Sequence, residues 1–171
     1  LSDGFEKEIP QSIIDNINKI TPIVFSSDLD LRSNLDLIAY PDFGIFVFKS
    51  NNLYLSIRCW AGVEPFHTSH MHFDQLSLEL TINSINIIQD PGSYLYSPSP
   101  EKRWLYRSPE SHYSPFKNNG ISKEIIEDPF SEITPIPIQA CYFDKSFFYA
   151  EYDYNGLHQF FYIKVNDKNV S

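Results

Sequence analysis

The stretch Gln75–Ile82 alternates between polar and apolar residues at every position. Its apolar positions are Leu76, Leu78, Leu80 and Ile82. Because successive side chains of a β-strand point to opposite faces, this alternation predicts a strand with one buried face and one face in water. Asn83-Ser84 then offers a two-residue turn into the next apolar run, Ile85–Gln89, so the whole segment is expected to form a hairpin.

Two further pairs of apolar runs follow the same plan. Phe43–Lys49 and Leu53–Trp60 are joined by a polar Ser-Asn-Asn, and Ser146–Tyr154 and Leu157–Val165 flank Asn155-Gly156. Asn-Gly is the strongest short hairpin signal in a sequence. Aromatic residues make up 16% of the chain, and strands favour them. The sequence therefore predicts an all-β fold, an antiparallel β-sandwich.

One short N-terminal helix is expected before the strands. Pro10 suits the first turn of a helix, and Ile13, Ile17 and Ile20 would share one helical face. Pro22 would end it, because proline cannot continue a helix.

The predicted domain organisation has two parts. Residues 1–41 would form the N-terminal helix and a connecting segment, and residues 42–171 the sandwich. Within the sandwich, residues 91–120 are rich in Pro, Ser, Tyr and Asn and are expected to form a long ordered loop. The chain begins with Leu1 and its single methionine is Met71, so we expect a processed protein or a fragment of a longer chain.

The charge of the chain excludes one class of partner. The formal net charge is -9, and Lys and Arg are not clustered anywhere. Nucleic-acid binding needs a basic patch to neutralise phosphates, so we expect no nucleic-acid partner. An acidic polysaccharide would have to bind through local arginines or a metal ion. No apolar run approaches the roughly 20 residues of a membrane span, and we expect none.

The two cysteines, Cys59 and Cys141, can form one disulfide or none. Each lies in an apolar run, where a buried free thiol is the common state of cysteine. We therefore expect two free thiols.

Four of the five histidines lie between residues 67 and 112. In an extended chain, His70, His72 and Asp74 would share the face that carries the buried row of the following strand. Buried polar groups need partners, and a divalent metal would satisfy two imidazoles and a carboxylate. The alternative is a set of hydrogen-bonded histidines at the rim of the sandwich, because a lone His-x-His is a short pattern.

Further polar groups follow in the predicted loop. Asp90 ends a strand just before Pro-Gly, where a carboxylate either caps the turn or binds a metal. Arg103, Arg107 and His112 come next. Arginine pairs suit bidentate binding of carboxylates, and the alternative is ordinary surface salt bridges.

Together these motifs resemble the heparinase II/III family over roughly residues 42–120. The matching motifs are His70-x-His72-x-Asp74, Asp90-Pro-Gly-Ser-Tyr94-Leu-Tyr96 and Arg103-x-x-x-Arg107-Ser-x-x-x-His112. Members of the family join an α/α toroid to a C-terminal β-sandwich and cleave uronic-acid polysaccharides by β-elimination. The resemblance thus implies an acidic polysaccharide substrate, a toroid supplied in cis or in trans, and a periplasmic or extracellular location.

The resemblance also implies roles for single residues. His72, Asp90 and His112 match the metal ligands, with zinc as the expected ion and calcium compatible. His70 matches the catalytic histidine that faces the cleft. Residues expected to contact substrate are Arg103, Arg107 and Tyr94, although the two arginines are equally compatible with a scaffold role. Asp74 is expected to support the ligands from the second shell.

Some positions depart from the family pattern. Tyr113-Ser114-Pro115 stands where the family usually has Asn-Thr, Phe73 replaces an Asn before Asp74, and a late strand has His158-Gln159-Phe160 instead of His-x-Arg. These changes fall next to expected site residues. They favour an incomplete active site in this chain alone.

Three functions remain open from the sequence. The first is a lyase domain that works only with a toroid, which residues 1–41 are too short to supply. The second is a non-catalytic, metal-stabilised module that binds carbohydrate or has a structural role. The third is an independent cupin-like metal enzyme using Glu79, which the parity of Glu79 on the polar face disfavours.

A shared metal also requires a bend in the chain. If the hairpin at Asn83-Ser84 is tight, Asp90 lies opposite about Ser77, some five residues from His72. That separation is about 16 Å along a straight strand. We therefore predict that the segment 70–74 bends back, for example at a bulge.

Overall fold

The computed structural model describes residues 10–60, 70–95, 98–116, 126–128, 130–133 and 136–171. The strands are β1 Phe25–Ser26, β2 Asp36–Tyr40, β3 Ile45–Lys49, β4 Leu53–Arg58, β5 Leu78–Ile82, β6 Ile85–Ile88, β7 Ile138–Phe143, β8 Phe147–Tyr154, β9 Leu157–Lys164 and β10 Asn169–Val170. The helices are α1 Gln11–Ile17 and α2 Pro100–Arg107, followed by a 3₁₀ turn at Pro109–Ser111. Among these described residues, no helix is long and apolar enough to cross a membrane.

The strands form an antiparallel sandwich, as the sequence predicts. One sheet has five strands in the order β2-β3-β4-β5-β6, the other has three in the order β7-β8-β9, and β1 pairs with β10. One core lies between the two larger sheets. It joins Phe48 and Leu55 of the first sheet to Phe148 and Ala150 of the second, all at most 1% exposed.

The predicted hairpins are confirmed, and the backbone conformation of their turn residues explains why the chain reverses there. Asn83 and Ser84 have φ of 53° and 66°, and Asn155 and Gly156 have φ of 53° and 74°. Positive φ at both central residues gives a turn whose twist matches that of the flanking strands. The predicted hairpin through residues 50–52 pairs β3 with β4.

The N-terminal helix is also present, although shorter than its pattern suggested. Pro10 stands at its N-cap, and the helix ends at Ile17. Ile13 is buried against Phe147 and Tyr149 on the outer face of the three-stranded sheet. Ile20 lies beyond the helix and is 42% exposed, so its predicted place on the buried helical face is wrong.

Strand β2 was not anticipated. Asp36–Tyr40 lies inside the segment expected to be a connection, yet it pairs with β3 along its whole length. It is an edge strand in which no residue is fully buried. An edge strand needs little alternation of apolar and polar residues, so the pattern that predicts a strand is weak in residues 36–40.

Helix α2 lies in the region expected to be loop, which is a correction to that prediction. Its start carries two ordinary signals: the Ser99 side chain accepts from the Lys102 backbone N–H, and Pro100 follows at the first helical position. Its buried residues are Arg103 and Arg107. A helix whose inner face is built from arginines shows no apolar periodicity, so hydrophobic patterning does not detect it.

Candidate functional site

The chain bends sharply just before β5. The strand begins at Leu78 rather than at Gln75, and the buried Leu76 has a φ of 56° in the left-handed region. The backbone N–H of Leu76 donates to Arg58 O at 2.7 Å, while that of Phe73 donates to Arg107 O at 2.9 Å. The predicted bend is confirmed. The interpretation of residues 70–74 as an extension of the strand is wrong, because the chain leaves the sheet there.

The bend brings four of the predicted site residues into one chain of contacts. His72 Nδ1 lies 2.9 Å from His112 Nε2, and His112 Nδ1 lies 2.5 Å from Asp90 Oδ2. On the other side, Arg103 Nη1 lies 2.9 Å from His72 Nε2. We call Arg103, His72, His112 and Asp90 the histidine cluster. Its members are separated by up to 40 residues in sequence and come from three different segments of the fold.

Asp90 has two roles in this arrangement. It follows β6, and its Oδ1 accepts from the Gly92 backbone N–H at 2.7 Å. The same carboxylate thus caps the Pro-Gly turn and contacts His112. The turn cap fixes the carboxylate before it meets the ring, since both oxygens have defined partners.

The two arginines of α2 are buried rather than on the surface. Arg103 is 0% exposed and Arg107 is 1% exposed. The alternative that these arginines form ordinary salt bridges on the surface is therefore wrong. Arg107 Nε donates to Met71 O at 3.1 Å, and Arg107 Nη2 donates to Ser131 O at 2.9 Å. Together with the bond from Phe73 N to Arg107 O, these contacts hold the backbone on both sides of His72.

The electrostatics differ between the two histidines. Burial, the nearby His112 and Arg103 lower the pKa of His72 to about 4, so this ring is neutral at pH 7. Burial also disfavours charge on His112, but the hydrogen bond and the charge of Asp90 outweigh it and raise the pKa of His112. Burial opposes charge on Asp90 as well, and hydrogen bonds from His112 and Gly92 nevertheless lower its pKa. The Asp90 carboxylate therefore stabilises a proton on His112 Nδ1, while the neighbouring His72 is neutral at pH 7.

Comparison with known proteins agrees with this architecture. Residues 32–113 match the family model described as "Heparinase II/III-like, C-terminal". The chain carries a heparinase II/III-like C-terminal domain. The match runs from just before β2 to just after His112 and so contains the whole histidine cluster. The family match places this domain in a polysaccharide lyase family. A search of the curated proteins finds no match.

An open polar cavity of about 350 Å³ lies beside the histidine cluster of this heparinase II/III-like domain. Its polar and charged lining residues are Ser56, Arg58, His72, Asp74, Ser77, Glu79, Asp90, Ser93 and His112. A larger cavity of about 630 Å³ is lined mainly by apolar residues such as Ile87 and Phe161 and contains none of the predicted site residues. The polar cavity is therefore the candidate functional site.

The charged lining residue Arg58 was missed as a site residue by the sequence reasoning, and Glu79 was considered only for the cupin-like alternative. Arg58 ends β4, its Nε lies 3.8 Å from Asp74 Oδ2, and its Nη1 donates to Phe43 O. Glu79 accepts from the Ser56 hydroxyl at 3.3 Å. A charge at the end of an otherwise apolar strand was the available signal for Arg58. Asp74, expected to support the ligands, faces Arg58 here, and burial raises its pKa.

The remaining predicted residues lie outside this cavity. His70 is exposed, and its ring centroid is 6.1 Å from that of Phe130. Tyr94 is 65% exposed and stacks on Tyr106 with centroids 4.9 Å apart. His67 and Tyr96 fall outside the described residues. The structure thus brings the expected ligands together and leaves His70 and Tyr94 on the surface.

The donor atoms of His72, Asp90 and His112 bear on the expected metal. Two imidazoles and a carboxylate are suitable zinc ligands. However, His112 turns Nε2 toward His72 and Nδ1 toward Asp90, so the three donors do not converge on one point. His72 Nε2 lies 2.9 Å from Arg103 Nη1, and His112 Nε2 lies 2.8 Å from Tyr106 O, so both nitrogens already have protein partners. Within the described residues, no group of three such donors is placed to hold a metal.

Proposed function

We propose that this chain is the β-sandwich part of a polysaccharide lyase that cleaves uronic-acid polysaccharide by β-elimination, acting with an α/α toroid in cis or in trans. The observation that carries the proposal is the histidine cluster beside the polar cavity. Residues that the family resemblance marks, although far apart in sequence, meet in one partly buried hydrogen-bonded unit. Such units are built to hold neighbouring groups in fixed positions.

The chemistry of β-elimination divides the work between the two parts. A base removes the proton next to the uronate carboxyl, an acid assists the leaving oxygen, and the carboxyl group must be stabilised as charge builds on it. In this proposal the toroid supplies the base and acid, while exposed His70 contacts the carboxyl group. Arg107, through Met71 O, fixes the backbone next to His70. Exposed Tyr94 offers a ring on which a sugar can stack.

Arg103 and Arg107 act as a scaffold in this proposal rather than as substrate contacts. Both side chains are at most 1% exposed, so a polysaccharide does not reach them. Their hydrogen bonds run to His72 and to the backbone of Met71 and Ser131. The net effect is to fix the loop that presents His70.

Activity is expected only when a toroid is supplied. We expect unsaturated uronate, measured by its ultraviolet absorbance, from the chain combined with a family toroid, and none from the chain alone. His70→Ala should lower kcat/KM by roughly 10²-fold or more, the scale of losing one positioned polar group. The matched control is His158→Ala, because His158 is an exposed strand histidine that contacts Asp153, away from the cavity. Equal rates for both variants would refute the role given to His70.

A second candidate is a non-catalytic module that binds acidic carbohydrate. The observation that favours it is that the contacts of the histidine cluster run within the protein, from Arg103 to Asp90. Saturable binding of uronate oligosaccharides by calorimetry, with no product even when the toroid is present, would select this function over the lyase. Tyr94→Ala should then weaken binding, as loss of a stacking ring does.

We also propose that the histidine cluster binds one divalent metal, zinc in the first instance, through His72, Asp90 and His112. The donor chemistry supports this proposal, and binding requires the two rings to turn out of their present contacts with each other and with Asp90. Elemental analysis after zinc addition and dialysis should give about one equivalent in the native chain. His72→Ala should lose it, while His158→Ala should keep it. A metal-free native chain would make the cluster a purely hydrogen-bonded unit.

A further inference from the structure

Cys59 and Cys141 approach each other from the two facing sheets. Cys59 directly follows β4 and continues the inward parity of Leu55 and Ile57, with an exposure of 2%. Cys141 lies in β7 opposite the buried Ala150, and directly paired residues share a face of the sheet. Both cysteines are free, and both pack in the same core cluster.

The segments that carry the two thiols face each other. Phe46, which pairs with Ile57 two residues before Cys59, has its ring centroid 5.4 Å from that of Phe143, two residues after Cys141. The neighbouring thiol of Cys141 and burial both raise the pKa of Cys59. Hydrogen bonds also join the neighbouring backbone of the two sheets. Gln75 Nε2 donates both to Trp60 O at 2.7 Å and to Ile136 O at 2.9 Å, which ties the segment after β4 to the segment before β7.

We propose that Cys59 and Cys141 form a disulfide between the two sheets when the protein meets a small-molecule disulfide such as oxidised glutathione. Disulfides between facing sheets occur in other β-sandwiches, so the architecture accommodates one. A covalent bond here would close a loop that contains every predicted site residue, from His70 to His112. It would therefore restrain the residue next to the cavity-lining Arg58 without occupying the polar cavity.

The chemistry balances by two exchange steps. Cys141 is the more exposed thiol, so its thiolate attacks a sulfur of oxidised glutathione. This forms a mixed disulfide and releases one glutathione thiol, which takes the proton that Cys141 lost. Cys59 then loses its proton, attacks the Cys141 sulfur and expels the second glutathione as a thiolate. This thiolate takes up the proton that Cys59 lost. The protein loses two hydrogens, and one glutathione disulfide is reduced to two thiols.

The second step is expected to be slow. The raised pKa of Cys59 leaves little thiolate at neutral pH, and thiolate is the attacking species. The cross-link should thus form faster as the pH rises. Once formed in the buried core, it should resist reduction, because access to either sulfur is limited.

The test is oxidation of the reduced chain followed by intact mass measurement and thiol counting after unfolding. The expected result is the loss of both thiols, a mass decrease of about 2 Da relative to the reduced chain, and full reversal by dithiothreitol once the chain is unfolded. The melting temperature should rise by roughly 5–10 °C, because the cross-link closes a long loop of the unfolded chain.

Single variants keep the proposal open to refutation. Cys141→Ser and Cys59→Ser should each show no such rise, and Cys141→Ser should keep its one buried thiol unmodified. If Cys59→Ser does not fold, Cys141→Ser alone serves as the control. A stable glutathione adduct on the native chain, a disulfide-linked dimer, or two thiols still free after prolonged oxidation would each overturn the proposal.

Discussion

Replacing Arg107 with alanine is expected to destabilise the domain by about 3–5 kcal/mol. The side chain is 1% exposed and donates to Met71 O and Ser131 O. Truncation leaves those carbonyls without their charged donor, and each unsatisfied buried group costs about 1–3 kcal/mol. It also leaves a cavity where a long side chain was packed. Burial and the neighbouring Arg103 lower the pKa of Arg107, although a guanidinium remains charged at pH 7.

The measurement is denaturant unfolding of Arg107→Ala beside two controls. Lys102→Ala changes an exposed residue of the same helix and should shift the free energy of unfolding by no more than about 0.5 kcal/mol. Arg107→Lys keeps the charge but cannot reproduce a planar fork that reaches two segments, and its stability should fall between those of the native chain and Arg107→Ala. A loss below about 1 kcal/mol for Arg107→Ala would show that these contacts do not hold the loop.

Helix α2 illustrates where sequence patterning succeeds and where it fails. Its N-terminus was readable, because Ser99 followed by Pro100 is a common start signal. Its body was not readable, because the buried positions are Arg103 and Arg107. A burial pattern made of charged residues becomes visible only when their partners, His72 and the backbone of residues 71 and 131, are known. The sandwich itself was predictable because its buried positions are apolar and alternate.

The histidine cluster shows a similar division. The segments that meet were predictable from the spacing of the family motifs, and the bend at residues 70–76 followed from simple distances along a strand. The atoms that meet were not predictable. Which nitrogen of His112 faces His72 and which faces Asp90 depends on side-chain rotation, which the sequence does not encode locally. Arg58 entered the cavity lining for the same reason, since its position depends on the loop that bends over the end of β4.

Among the glycines that the structure describes, Gly44 is where an added methyl group should destabilise the fold most. It has a φ of +65°, and an added Cβ would lie 2.5 Å from Trp60 Cα and 2.7 Å from Cys59 O. Both of those atoms belong to the backbone, so no side chain can turn away. We expect Gly44→Ala to cost about 3 kcal/mol or more, the sum of left-handed strain and a backbone clash.

Gly156 provides the matched control for this substitution. Its φ of +74° is as unusual as that of Gly44, but an added Cβ would meet nothing within 4 Å. Gly156→Ala therefore carries the left-handed strain alone, which costs roughly 1 kcal/mol. The difference between the two variants in denaturant unfolding isolates the close approach of the two backbones. Equal losses would mean that the turn before β3 is free to move away from Trp60.

The consequence of the Gly44 contact extends to the candidate site. The Cys59 backbone N–H donates to Gly44 O at 2.7 Å, and the Trp60 backbone N–H donates to Gln75 Oε1 at 2.9 Å. Gln75 directly follows Asp74 in the segment that carries His72. A shift of the turn at Gly44 would therefore move the backbone that positions the histidine cluster. We expect Gly44→Ala, but not Gly156→Ala, to increase hydrogen exchange of the His72 and Phe73 amides, measured as faster deuterium uptake in that segment under native conditions.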